Sequence, residues 1–222
     1  MEQLTHWLLD PRGLMTLFSV GALLALSWLA GAFQNLRRSR AFLAYFNDST
    51  RGVVSLQRGP NFRGFFAKIQ PAPEPFSQFS ITYHAASNLN LLGLLLRPLT
   101  GRMDRMVIHG KLTGHPGAEL IWVRGQIPSR ALGHDRGATL WVQHRLDFMH
   151  CEYATRGINP RGLVHVFADL QARFGPWLRK VSIQADDIPE MEIVLTTTRL
   201  NPEEMSALVT TLRAAGRAAL LR

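Results

Sequence analysis

The hydrophobic pattern along this chain begins with one unbroken block. Leu14 to Phe33 (LMTLFSVGALLALSWLAGAF) carries no charged residue across twenty positions. As a helix rising 1.5 Å per residue it would run about 30 Å, the hydrocarbon thickness of a bilayer. The next segment, FQNLRRSRAFLAYFN, changes character. Leu36, Phe42, Leu43, Tyr45 and Phe46 make an apolar side, with Arg37, Arg38 and Arg40 among them, so an amphipathic juxtamembrane helix is expected over 34–50. The division predicted is a short N-terminus (1–13), a transmembrane helix (14–33), that juxtamembrane helix (34–50) and one domain over 51–222.

Within 51–222 the pattern shifts between periods of two and of three to four. The phenylalanine-rich run Phe62–Gln70 and the alternating run Phe76–His84 are expected strands, with Pro71, Pro73 and Pro75 between them. Ala85 to Leu96 reads as a leucine-rich core helix stopped at Arg97-Pro98. Asp104–Leu112 has Met106, Ile108 and Leu112 on one face and Arg105, His109 and Lys111 on the other. The turn TGHPGA then suggests a hairpin with Glu119–Arg124. Ala138–Arg145 and Phe148–Ala154 form a further expected pair, as do Trp177–Gln184 and Met191–Thr198 around the acidic loop Asp186–Glu190. Asn159-Pro160 is expected to cap a helix with the stripe Leu163, Phe167, Leu170 and Phe174, closed by Gly175-Pro176. Asn201-Pro202 opens the last helix, with Met205, Leu208, Leu212 and Ala219 inward. Strand–strand–helix units of this kind predict an α+β fold, mainly antiparallel, with helices on one face.

Charge gives the span a direction. Before it stand Glu2, Asp10 and Arg12; after it come three arginines within four residues. Such a flank keeps the following domain cytoplasmic and places the N-terminus outside, and it opposes export of a chain cleaved after Ala30-Gly31-Ala32. The formal net charge is +9, and lysine appears only as Lys68, Lys111 and Lys180. A basic face beside a membrane suits anionic lipid headgroups, RNA or an acidic protein surface. Arg37, Arg38 and Arg40 are expected at the headgroups. Arg97, Arg102 and Arg105 surround one helix–strand junction, and Arg124, Arg130 and Arg136 frame a second loop, as candidates for phosphate contact. Gly21, Ala25, Ser27 and Gly31 offer small-residue pairs against other transmembrane helices.

Catalytic patterns are not apparent. The chain has no phosphate loop, dinucleotide fingerprint or nucleophile elbow. Its eight histidines are not paired at metal-helix spacing, so neither metal nor cofactor is expected. His150-Cys151-Glu152 holds the ingredients of thiol chemistry, but adjacent strand residues point to opposite faces. The lone Cys151 therefore reads as structural, and the acidic loop as a solvated turn.

The stretches RSRAFLAYFN, LNLLGLLLRPLTGRMDRMVIHGKLTGHPGAELIWVRG, LQARFGPWLRKVSIQ and MEIVLTTTRLNPEEMSALVTTLRAAGRAAL together resemble the calumin family, the coiled-coil-containing subunit of the translocon-associated PAT complex. The likeness covers most of residues 34–220 at low identity. It implies a non-catalytic membrane protein whose cytosolic domain meets ribosome and translocon and assists insertion of multipass proteins. The family's acidic segment before the anchor and its lysine-rich terminal coiled coil have no counterpart in these residues, so a ribosome contact through such a tail is not implied.

Overall fold

In the computed structural model the described residues are 11–50, 53–86, 103–127, 141–146, 151–197 and 200–220. A single helix, α1 (Pro11–Thr50), takes in both the apolar block and the juxtamembrane segment without a break. At 1.5 Å per residue its forty residues extend about 60 Å. It is long and apolar enough to cross a membrane, the one such helix among the described residues.

Nine strands follow: β1 (Val53–Asn61), β2 (Gly64–Gln70), β3 (Phe76–His84), β4 (Arg105–Leu112), β5 (Ala118–Val123), β6 (Val142–Leu146), β7 (Cys151–Gly157), β8 (Leu178–Ile183) and β9 (Met191–Thr196). They form one sheet in the order β1-β2-β3-β4-β9-β8-β5-β7-β6, and every pairing is antiparallel. Helix α2 (Arg161–Phe174) precedes β8, and α3 (Met205–Leu220) follows a 3-10 turn at Pro202–Glu204. The expected α+β class, with one long apolar helix ahead of a mainly antiparallel domain, is what forms.

Alternation explains the core. Ile69, Phe79, Met191, Ile183 and Leu120 fall in one register row, with Ala67, Ile81, Ile108, Ile193, Val181 and Trp122 in the next. These side chains are buried on the helix-bearing face. Phe42 of α1 packs on Tyr83, Phe167 of α2 on Trp122 and Tyr153, and Gly216 of α3 stands over Phe76 and Leu112. The predicted stripes Leu163, Phe167, Leu170, Phe174 and Met205, Leu208, Leu212, Ala219 are all buried. The second face carries Lys68, Ser80, His109, Glu192 and Ser182 in one row.

Several expectations need correction. The hairpin between Asp104–Leu112 and Glu119–Arg124 does not form: β4 pairs with β3 and β9, and β5 with β7 and β8. The β8–β9 hairpin inserts between them, because its core-facing positions complete the central rows of the sheet. Thr113–Gly117 therefore crosses three interstrand gaps, about 14 Å, a reach that five linking residues allow. Strand β1 was not foreseen at all, and Phe62 lies in the β1–β2 turn and not in a strand. Asn159 takes a left-handed conformation (φ 49°) and the helix cap falls to Pro160. The strand–strand–helix rhythm holds for β6–β7–α2 and β8–β9–α3, whereas β1, β2 and β3 run as a meander. The expected helix at 85–96 lies, beyond Ala86, outside the described residues.

Candidate functional site

Helix α1 divides into two environments. From Leu14 to Phe33 its apolar side chains are uncovered: Met15 is 75% exposed, Phe18 82% and Phe33 70%. From Asn35 onward one side sinks into the domain, with Asn35, Ser39, Phe42 and Phe46 buried at spacings of four, three and four. The amphipathic pattern read from the sequence is thus real, but its apolar side faces the sheet.

Polar contacts fix the junction. Asn35 Nδ2 donates to the carbonyl of Phe62 (3.3 Å) and of Ala86 (3.1 Å), and Ser39 Oγ donates to the Asn61 carbonyl (3.1 Å). Arg38 Nη1 meets Asp104 Oδ2 at 2.7 Å, while Nη2 donates to the Thr197 carbonyl at 2.7 Å. The other oxygen, Asp104 Oδ1, accepts from the Ala86 amide at 2.8 Å. The Asp104 side chain is wholly buried and that of Arg38 is 27% exposed. Arg38 is therefore not a headgroup ligand in this arrangement: its guanidinium is held by a carboxylate sixty-six residues further on. Arg37 and Arg40 are exposed on the outer side of α1.

The sheet end reached by Asn35 and Arg38 forms a rim. It comprises the β1–β2 turn, the row Gly64–His84–Arg105–Thr196, the start of β8 and the end of β5. Arg63, Arg105 and Arg124 are exposed there, and Arg179 is half-buried. Among the described residues no carboxylate lies within ion-pair distance of these four or of Arg37. Arg124 Nη1 donates to the Pro176 carbonyl (3.0 Å), and its amide to the Arg179 carbonyl (2.9 Å). Partial burial, and then the neighbouring Arg124 charge, lowers the Arg179 pKa from its ordinary value.

Carboxylates gather at the opposite end of the strands. Asp186 pairs with Arg156 at 3.1 Å, Asp187 accepts from Gln184 at 2.7 Å, and Glu190 accepts from the Leu112 amide at 3.1 Å. The acidic loop is exposed at Asp186, Asp187 and Ile188, as expected of a solvated turn, and is also tied into these hydrogen bonds; no group of metal-ligating residues occurs among the described residues. At six residues per strand the two ends of the β8–β9 hairpin lie about 17 Å apart.

Of the arginines singled out in the sequence, Arg37, Arg38, Arg40, Arg105 and Arg124 are placed as above. Arg97, Arg102, Arg130 and Arg136 lie outside the described residues. Arg63 and Arg179 were missed; the flanking turn signal Asn61-Phe62-Arg63-Gly64 could have found the first, but nothing local marks the second. Cys151 opens β7, and its side chain lies outside the described residues. A cavity of about 370 Å³ at the far edge is lined by Gln126, Gln143, His144, Arg145, Glu152 and Tyr153, with Ile127 as its one aliphatic member. His144 there stacks on Tyr153 and bonds Thr155 at 2.9 Å, which occupies the imidazole in packing. No protein-family model matches this chain, and no curated protein matches it.

Proposed function

We propose that the protein is a single-pass, non-catalytic membrane adaptor, with its N-terminus outside and its basic α+β domain in the cytoplasm beside ribosome and translocon. One observation carries the reading. A twenty-residue apolar half-helix is left almost uncovered by protein, touched among the described residues of the domain only near its end where Trp28 meets Phe62, and its other half is locked into a folded domain. Exposing so many large apolar side chains to water is unfavourable by about 25 cal/mol for each Å² that lipid would cover. Lipid removes that cost, and a helix satisfies its own backbone within it. The exposed Arg37 and Arg40 support the orientation, as clustered cations stay cytoplasmic. The exposed rim arginines Arg63, Arg105 and Arg124, which have no carboxylate in ion-pair distance among the described residues, support an anionic partner, and the resemblance to the calumin family supports the biogenesis role.

A second reading has its own observation. Around Gly21 there is open space on the bare half of α1. A small residue there lets another transmembrane helix approach closely, as in an accessory subunit of a different membrane complex. Gentle detergent extraction followed by gradient sedimentation separates the two. Co-migration with ribosomes at low salt, lost at high salt, is expected for the adaptor. Migration with a salt-resistant membrane complex would overturn it in favour of the accessory subunit.

A further inference from the structure

The β1–β2 turn stands in an unusual place. Trp28 of the apolar block meets Phe62 at the tip of the turn, ring centroids 6.2 Å apart and edge-on. Trp28 lies five residues before Phe33, so the turn reaches about 7 Å along the helix past the end of the apolar block. Asn35 and Ser39 hold the turn there through the carbonyls of Phe62 and Asn61. Within the turn, Asn61 Oδ1 accepts from the Arg63 amide (2.8 Å), and the Arg63 guanidinium lies 5.5 Å from the centre of the Phe62 ring. Asn61-Phe62-Arg63-Gly64 is therefore a fixed structure pressed against the very segment that lipid would cover.

We infer that this turn is a second membrane contact, seated at headgroup depth, and that Arg63 with the rim arginines Arg105 and Arg124 receives the phosphates of anionic phospholipids. The inference rests on α1 spanning a bilayer. Trp and Phe at that level suit the region between acyl chain and headgroup, and a guanidinium beside them suits a phosphate oxygen. Charge along the domain agrees: at the end nearest the bare half-helix Arg63, Arg105 and Arg124 are exposed with no carboxylate in ion-pair distance among the described residues, and the end with Asp186, Asp187 and Glu190 points away. A bilayer is favoured over RNA because the turn touches the apolar block itself, where a nucleic acid has no access.

The test uses the full chain with Cys151→Ser, which removes its only thiol. Single cysteines are introduced as Gly59→Cys near the turn, Ile188→Cys in the acidic loop and Leu24→Cys in the apolar block. An added side chain at position 59 meets nothing within 4 Å, and Ile188 is 97% exposed. Each is labelled with bimane and placed in nanodiscs carrying nitroxide lipids, of phosphatidylcholine alone or with part replaced by phosphatidylglycerol. The label at 59 is expected to be quenched by a headgroup-level nitroxide, more strongly with phosphatidylglycerol, and the label at 188 in neither lipid. Arg63→Gln should weaken the phosphatidylglycerol preference by about fivefold, the contribution of one cation near an anionic surface. A label at 59 as unquenched as that at 188, with position 24 quenched by acyl-chain nitroxides, overturns the turn contact and leaves the span standing. Equal quenching at 59 in both lipids overturns the phosphate assignment. An unquenched label at 59 that added ribosomes protect assigns the turn to RNA and also overturns it. An unquenched label at 24 removes the membrane reading itself.

Discussion

Replacing Asp104 by Ala should unfasten α1 from the sheet. The carboxylate is wholly buried and serves two partners at once, Arg38 Nη1 at 2.7 Å and the Ala86 amide at 2.8 Å. Removing one member of a buried ion pair typically costs about 3–5 kcal/mol, because the other charge is left without compensation. Arg38 retains 27% exposure and a second acceptor in the Thr197 carbonyl, so water and that carbonyl recover part of the loss. The low end, about 3 kcal/mol, is therefore expected. For a domain of this size each kcal/mol moves Tm by about 2–4 °C, which predicts a fall of about 6–12 °C. The assay is thermal unfolding of the full chain in detergent, followed by near-ultraviolet circular dichroism. Arg38→Met alone and the double variant close a cycle, with a coupling of about 1–3 kcal/mol expected for groups sharing a contact. Arg37→Met, on the exposed side of the same turn, should change stability by less than about 0.5 kcal/mol. A fall below 2 °C for Asp104→Ala, or additivity in the cycle within about 0.5 kcal/mol, would refute the lock.

Two further outcomes follow from positions elsewhere. Gly64 has φ +123°, and a Cβ there would stand 1.8 Å from the Tyr83 carbonyl oxygen, so Gly64→Ala should destabilise by at least about 1–3 kcal/mol, read as a drop in the urea midpoint at unchanged slope. His109 has its pKa lowered from 6.5, first by burial, with Lys180 adding to the shift and Glu192 opposing it. Its stabilising contribution is present above about pH 6.5, the unfolded value, and is lost as pH falls through the lower folded value. Tm should therefore drop more steeply from pH 7.5 to 5 in the parent than in His109→Gln, and equal slopes would contradict the shift.

Local pattern was enough where one strand faces one core. Phe76–His84 alternates from Phe79 onward, so its two ends could be read directly, although Ser77 and Gln78 are both exposed where the register with β4 shifts. Strand β1 hid because Gly59 and Pro60 depress strand propensity and most of its side chains are exposed. Its register with β2 shifts twice, as edge strands often do. The β4–β5 hairpin was misread because turn chemistry alone says nothing of a later hairpin able to separate the two strands. The amphipathic half of α1 was legible as a pattern, but a pattern does not say whether lipid or a sheet covers it. Nor could the sequence reveal that Arg38 answers to Asp104, since that pairing exists only after the strands have assembled. For the rim, the arginines were visible as residue types, and only the common sheet end made them neighbours.

The continuity of α1 has a mechanical meaning. A helix with no glycine-proline break between its bare half and its docked half transmits torque, and Arg38, Asn35 and Ser39 clamp the docked half to the sheet. Successive helical positions differ by 100° in azimuth. A neighbouring membrane helix that selected a face of α1 one residue away would swing the whole domain through that angle. The direction in which the sheet's cationic rim and its acidic end point around the membrane normal is then decided inside the bilayer, by which stripe of α1 a neighbour prefers.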